Sequence, residues 1–155
     1  MPPSASKAPA TPAAKSGRTN TQQESVKKFG AAVAARFTIV PALLFEKQRE
    51  LKISPVEFAV LLQLMSYWWK ANDLPWPSKR DLGARLDMDE SNVRRHITSL
   101  CEKNIIERFG RTDKATRRQT SNKYSFKPLV QKLKKLAEQA HKKSQKEIPH
   151  ADRSP

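Results

Sequence analysis

Ser91, Asn92, Arg94, Arg95 and Thr98 crowd into one short stretch: two hydroxyls, an amide and two guanidinium groups. Side chains of these types suit hydrogen bonding to base edges. Arginine can pair bidentately with guanine and asparagine with adenine, each good pair discriminating by about 1–3 kcal/mol. Covalent chemistry finds no comparable grouping. His96, His141 and His150 are scattered, Cys101 is the single cysteine, and no Gly-rich phosphate loop or serine nucleophile motif occurs. Catalysis needs a nucleophile, a base and orienting groups converging on one pocket. The expectation is therefore a binding protein and not an enzyme, with no cofactor and no metal site.

A helix must carry this group. Asp89 can cap it by accepting from the unpaired N–H groups of the first turn. Val93, Ile97 and Leu100 recur at steps of four and three, so they share a buried face. At 100° per residue, Ser91, Arg95, Thr98 and Glu102 then point outward, with Asn92, Arg94 and Ser99 at the sides. Just upstream, Ser78 caps a shorter helix with Asp81 at its third position, and Leu82 and Leu86 supply its apolar side. Gly83 would let another helix approach closely. Asp87 and Met88 fill the gap, leaving helix-turn-helix spacing, with Ser78, Lys79 and Arg80 at the start of the first helix as further DNA contacts.

Downstream, Asn104 suits the left-handed residue that ends a helix. Ile105 and Ile106 open an extended run to Phe109, and Ser121 to Phe126 resumes it. The polar segment between them carries Arg111, Lys114, Arg117 and Arg118. An antiparallel hairpin with a basic, loose tip would bring these cations to phosphates or into a minor groove.

The order PS..DLGARLDMDESNVRRHITSLCEKNIIER followed by SNKYSF resembles the winged helix-turn-helix domains of bacterial, phage and plasmid DNA-binding proteins. GntR-like regulators and the amino-terminal domains of some replication initiators and primosomal proteins are among them. The likeness covers Phe37 to Phe126. It implies a recognition helix capped at Asp89, with Val93 buried, Arg94 facing DNA, and Asn104, Ile105 and Ile106 leading into the wing. Asp89 and Glu90 depart from the usual Ser or Thr cap and put two acids where phosphates would approach. Asn104 replaces the usual glycine.

Charge points the same way. The 155 residues hold 30 Lys and Arg against 15 acids, a formal charge of +15. Such an excess favours a polyanionic partner. No apolar run has the length of about 18 residues that a membrane span needs, and the start lacks a signal-peptide segment. A reducing cytoplasm, in association with the nucleoid, fits these features and the single cysteine. Cys101 and His96 flank the apolar stripe, where semi-buried packing is expected of both.

Three segments are expected. Residues 1–30 are rich in Pro, Ala, Ser, Thr and Lys, with little to bury, and read as a disordered tail. Its cations either prolong residence on DNA or simply keep the protein soluble. Residues 31–127 form the DNA-binding domain. Pro41 sits in the first turn of a helix whose buried side holds Leu44 and Leu51. Ser54, Pro55 and Glu57 form a capping box for the next, with Phe58, Leu61, Leu62, Met65 and Trp69 as its apolar spine. Trp68, Trp69 and Trp76 could stack on exposed bases, but beside aliphatics at helical spacing they read as core.

Residues 128–155 form a basic amphipathic helix with a frayed end. Leu129, Leu133, Leu136 and Ala140 make a short heptad-like seam. It either pairs with a twin in a homodimer or folds back on its own domain. The dimer is preferred here, because a symmetric pair sets two recognition helices on half-sites one DNA turn apart.

The fold expected is therefore mainly α with a small antiparallel β wing, flanked by a basic tail and a basic helix. Its expected task is sequence-specific binding of double-stranded DNA, first as a transcriptional regulator. The alternatives are a replication-initiation or plasmid-maintenance protein at an origin, and an RNA-binding winged-helix protein.

Overall fold

Ser54 and Glu57 open the helix against which the two later helices of the motif pack. In the computed structural model, which describes residues 20–146, the Ser54 hydroxyl accepts from the Glu57 N–H and a Glu57 carboxylate oxygen accepts from the Ser54 N–H. Both halves of the expected capping box are present.

The chain divides into two units, Met1–Phe37 and Thr38–Pro155. In the first, α1 (Asn20–Phe29) and α2 (Ala31–Ala35) are separated by Gly30 at φ 56°. The disordered tail expected for residues 1–30 needs correction over its last third; residues 1–19 lie outside the described residues. Gln, Glu and Lys are strong helix formers, and Lys27 pairs with Glu24 at 2.6 Å. Neither helix buries a residue, so local preferences hold them where burial does not.

The second unit begins with α3 (Ala42–Glu46), and Pro41 sits at its N-cap, one residue before the helix proper. Leu44 is fully buried, as is most of Leu51 in the turn beyond. Next, α4 (Pro55–Met65) buries Val60, Leu61, Leu64 and Met65. The expected spine was too long. Ser66 takes the C-cap and its hydroxyl donates to the Gln63 carbonyl, so the helix stops before Trp69, which is 53% exposed. Trp68 instead stacks on Phe126, with centroids 4.9 Å apart.

The paired helices follow as α5 (Lys79–Leu86) and α6 (Glu90–Glu102). Ser78 accepts from the Asp81 N–H at 3.0 Å and Asp89 from the Asn92 N–H at 2.8 Å, so both expected caps form. Asp87 adopts the left-handed conformation, and the Met88 N–H returns to the Gly83 carbonyl at 2.9 Å. Gly83 is needed for a different reason from the one expected. A Cβ there would sit 2.4 Å from the Met88 carbonyl oxygen, so the close neighbour is the turn itself and not another helix.

Val93, Ile97 and Leu100 of α6 are fully buried. The helix ends as expected at Asn104, φ 54°. Asn104 N–H donates to the Cys101 carbonyl and Ile105 N–H to that of Leu100, the two bonds of a Schellman motif. Ile105 and Ile106 drop into the core.

The sheet has two antiparallel strands, β1 (Glu107–Phe109) and β2 (Lys123–Ser125), with Arg108 opposite Tyr124. Beyond β1, Thr112 bridges Gln119. The two residues Gly110 and Arg111 therefore face three, Thr120 to Asn122, a bulge that bends the hairpin. On the outer edge of β2, the Tyr124 N–H donates to the Pro75 carbonyl at 2.9 Å. The tip is tied rather than loose. Asp113 accepts from the N–H groups of Ala115 and Thr116, and its backbone exchanges hydrogen bonds with Arg117 and Arg118.

Last comes α7 (Lys127–Lys146). Leu129 and Leu133 are buried in the core of their own chain, and Leu136 packs against it. The expected dimer seam is corrected at these positions: the apolar side of α7 is taken up by the core of its own chain, and only Ala140 of the four is exposed. Lys132 fastens the helix further by donating to the Lys103 carbonyl at 2.8 Å. A frayed C-terminus is expected after this helix; residues 147–155 lie outside the described residues. No described helix is long and apolar enough to cross a membrane. The result is a mainly helical chain with one small antiparallel sheet.

Candidate nucleic-acid interface

Because Val93, Ile97 and Leu100 anchor one side of α6 in the core, its other side faces solvent at Ser91, Arg94 and Arg95. Asp89 organises the first turn. Its carboxylate accepts from the Asn92 backbone N–H, from the Asn92 side-chain amide at 2.6 Å and from the Ser91 hydroxyl. Asn92 then uses its amide oxygen to accept from Arg95 at 2.7 Å. A run of hydrogen bonds thus passes from Asp89 through Asn92 to the Arg95 guanidinium. The donors on Asp89, the Ser91 hydroxyl foremost, hold its carboxyl below the usual carboxylate range. The acid expected to repel phosphates is thereby surrounded by donors.

Thr98, one turn on, is half-buried and accepts from Arg108 of β1 at 3.4 Å. Arg108 escaped sequence reasoning: alternation puts it on the same side of the strand as buried Ile106, yet it is exposed and reaches α6. Arg94 keeps its side chain exposed.

Ser78, Lys79 and Arg80 open α5, with the Ser78 hydroxyl occupied as a cap. They share a cavity of about 180 Å³ with Glu90 of α6 and with Thr120, Ser121, Asn122 and Tyr124 of the returning hairpin strand. The starts of both helices and the base of the hairpin therefore meet in one place. Burial pushes the Tyr124 phenol above its ordinary pKa while the Asn122 side chain pulls the other way. The Tyr124 hydroxyl is left without a hydrogen bond of good geometry.

The four hairpin cations separate. Lys114, Arg117 and Arg118 stand exposed at the tip. Arg111 turns back instead, its guanidinium 4.5 Å from the centroid of Trp76. Trp76, expected in the core, is instead 55% exposed on its extended segment, where it meets Arg111.

A second contact absent from the sequence reading supports this surface from behind. Glu57 is 4% exposed. Beyond its capping bond it accepts from the Ser99 hydroxyl and takes Lys103 on both oxygens, at 2.8 and 2.7 Å. Burial alone would raise its pKa, but the Lys103, Ser99 and Ser54 donors outweigh it and hold the carboxyl at about 2. Ser99, expected on the flank of the recognition face, is thereby drawn inward to join α6 to α4. The capping role of Glu57 is legible in the sequence; its second role depends on a lysine 46 residues away.

Comparison with known proteins extends these observations. No curated protein sequence matches the chain. Among solved structures, the crystal structure of the N-terminal domain of DnaD protein from Geobacillus kaustophilus HTA426 is similar. It has 23% identity and a TM-score of 0.54, over 77% of this chain and 96% of that one. A possible transcriptional regulator from Methanosarcina mazei Go1 gives 18% identity and a TM-score of 0.41, over 74% of this chain and 98% of that one. The model of the DnaD N-terminal domain family matches residues 40–146. With more than two-thirds of its length so matched, the chain belongs to the DnaD N-terminal domain family.

Proposed function

We propose that the protein binds double-stranded DNA as a winged helix-turn-helix, in the service of replication initiation. In this reading α6 lies in the major groove, with Ser91, Asn92, Arg94 and Arg95 at base edges or phosphates and Thr98 one turn further along. The hairpin is the wing, following phosphates through Lys114, Arg117 and Arg118, while Lys79 and Arg80 meet the backbone at the start of α5. The observation that carries it is the hydrogen-bonded run from Asp89 through Asn92 to Arg95 on the free side of α6. It holds a guanidinium and an amide in place before any ligand arrives, which reduces the ordering cost of binding.

The family match supports replication over the transcriptional regulation expected first. The formal charge of +15 supports a polyanionic partner in either role. Genome-wide mapping of the bound protein tests the role: enrichment at an origin agrees with the proposal, and enrichment at promoters alone overturns it. Competition with structured RNA tests the ligand, since RNA that displaces duplex DNA on equal terms would contradict a major-groove reader.

A further inference from the structure

We propose that Trp76, Arg111 and Phe109 form a stacking site for an unpaired base of single-stranded DNA, beside the surface that takes the duplex. The proposal rests on the duplex-binding reading for the neighbouring surface only.

Trp76 is held out from the molecule by its own backbone. Pro75 and Pro77 on either side are both buried, and each locks its φ near −65°. Tyr124 fastens this segment to β2 through the Pro75 carbonyl, and Ser78 starts α5 two residues after Trp76. A ring on so stiff a support has little backbone freedom to lose when a ligand stacks on it. Yet the ring remains 55% exposed. Tryptophan is highly buried on average, so an exposed one on a fixed support marks a contact surface.

Two residues of the hairpin fit the same ligand. Phe109, at the end of β1, is 46% exposed. Arg111, two residues further on, lays its guanidinium 4.5 Å from the Trp76 centroid. Every nucleobase has a π face that stacks on an aromatic ring or on a guanidinium plane, whatever the sequence. Lys123, paired with Phe109 across the sheet, is exposed and, with Arg111, supplies two cations. These cations suit the phosphates of the same strand.

Bases in a duplex are already stacked on one another and offer only their edges, so this site selects a base that has left its partner. Its position selects further. The segment carrying Trp76 leads straight into the cavity shared by the starts of α5 and α6 and the base of the hairpin. The substrate class is accordingly a junction, in which a duplex on α6 continues as a single strand across Trp76.

The test compares binding of the full chain to three ligands: a blunt duplex, the same duplex carrying a single-stranded oligo(dT) tail at either end, and oligo(dT) alone. Wild type is expected to prefer the tailed duplex. Trp76→Ala should lose that preference and about 5- to 150-fold in oligo(dT) affinity, with the blunt duplex unchanged. Trp76→Phe should keep most of both, and thermal melts of the two variants establish that they fold. A tail that adds nothing, or a Trp76→Ala loss equal on blunt and tailed duplexes, overturns the proposal. Oligo(dT) binding that depends on Trp76 without any blunt-duplex binding would instead overturn the duplex reading and leave this one standing.

Discussion

Lys103, the residue that caps the end of α6, places its ammonium 2.7 Å from the carboxylate of Glu57 in the first turn of α4. Glu57 simultaneously completes the capping box of α4, so one buried acid closes a helix start and joins two helices. Removing one partner of a fully buried pair costs about 3–5 kcal/mol. The Lys103 side chain is 32% exposed, so Lys103→Met is expected to cost less than that. Chemical denaturation of this variant beside Glu57→Gln gives the two values; a Lys103→Met loss above the buried-pair range would mean that the lysine has a further role.

The same pair makes stability depend on pH. Lys103, Ser99 and Ser54 hold the Glu57 carboxyl at about 2 in the folded chain, against its ordinary value of 4.5. Its folded pKa is depressed, so the contribution is complete above 4.5 and is lost as pH falls toward 2. The shift corresponds to on the order of 3 kcal/mol. Wild type should lose stability across that window, and Glu57→Gln, lower at neutral pH, should lose less of it. Equal slopes for the two proteins between these pH values would contradict the assignment.

Gly83→Ala inserts a Cβ 2.4 Å from the Met88 carbonyl oxygen. That oxygen is backbone in the turn between α5 and α6 and cannot swing aside as a side chain would. Destabilisation of about 1–3 kcal/mol is expected, with the relative placement of the two helices altered. Urea unfolding measures the first, and a drop in DNA affinity beyond what unfolding explains reports the second.

Asn104 tests the other end of α6. At φ 54° it lies in the left-handed region, which β-branched residues avoid. Asn104→Gly should leave stability unchanged or slightly raised, whereas Asn104→Val should lose about 1–2 kcal/mol. Similar melting temperatures for the two variants would refute the account of this helix end.

Arg95 and the hairpin tip divide the proposed DNA contacts into specific and general ones. Arg95→Ala should reduce the affinity ratio between target and scrambled duplex, by about 5- to 150-fold if one bidentate pair is lost. Arg117→Ala combined with Arg118→Ala should weaken both duplexes alike and reduce the salt slope by about 2. Anisotropy titrations over a range of salt measure both; an unchanged ratio in Arg95→Ala would remove α6 as the reader.

What the chain's order of residues determined by itself was local. Caps at Ser54, Ser78 and Asp89, the apolar repeat of Val93, Ile97 and Leu100, and the left-handed Asn104 all rest on steps of three to five residues along the chain. Backbone geometry settles such interactions before distant parts of the chain meet. Tertiary structure decided the rest, because each remaining group had several partners within chemical reach. Glu57 could have stopped at its capping bond until the end of α6 brought Lys103 to it. Trp76 and Arg111 lie far apart in sequence and met only when the hairpin folded back beside the Pro75 segment. Leu129 and Leu133 had apolar surface to bury against a twin or against their own domain, and the core of their own chain took them.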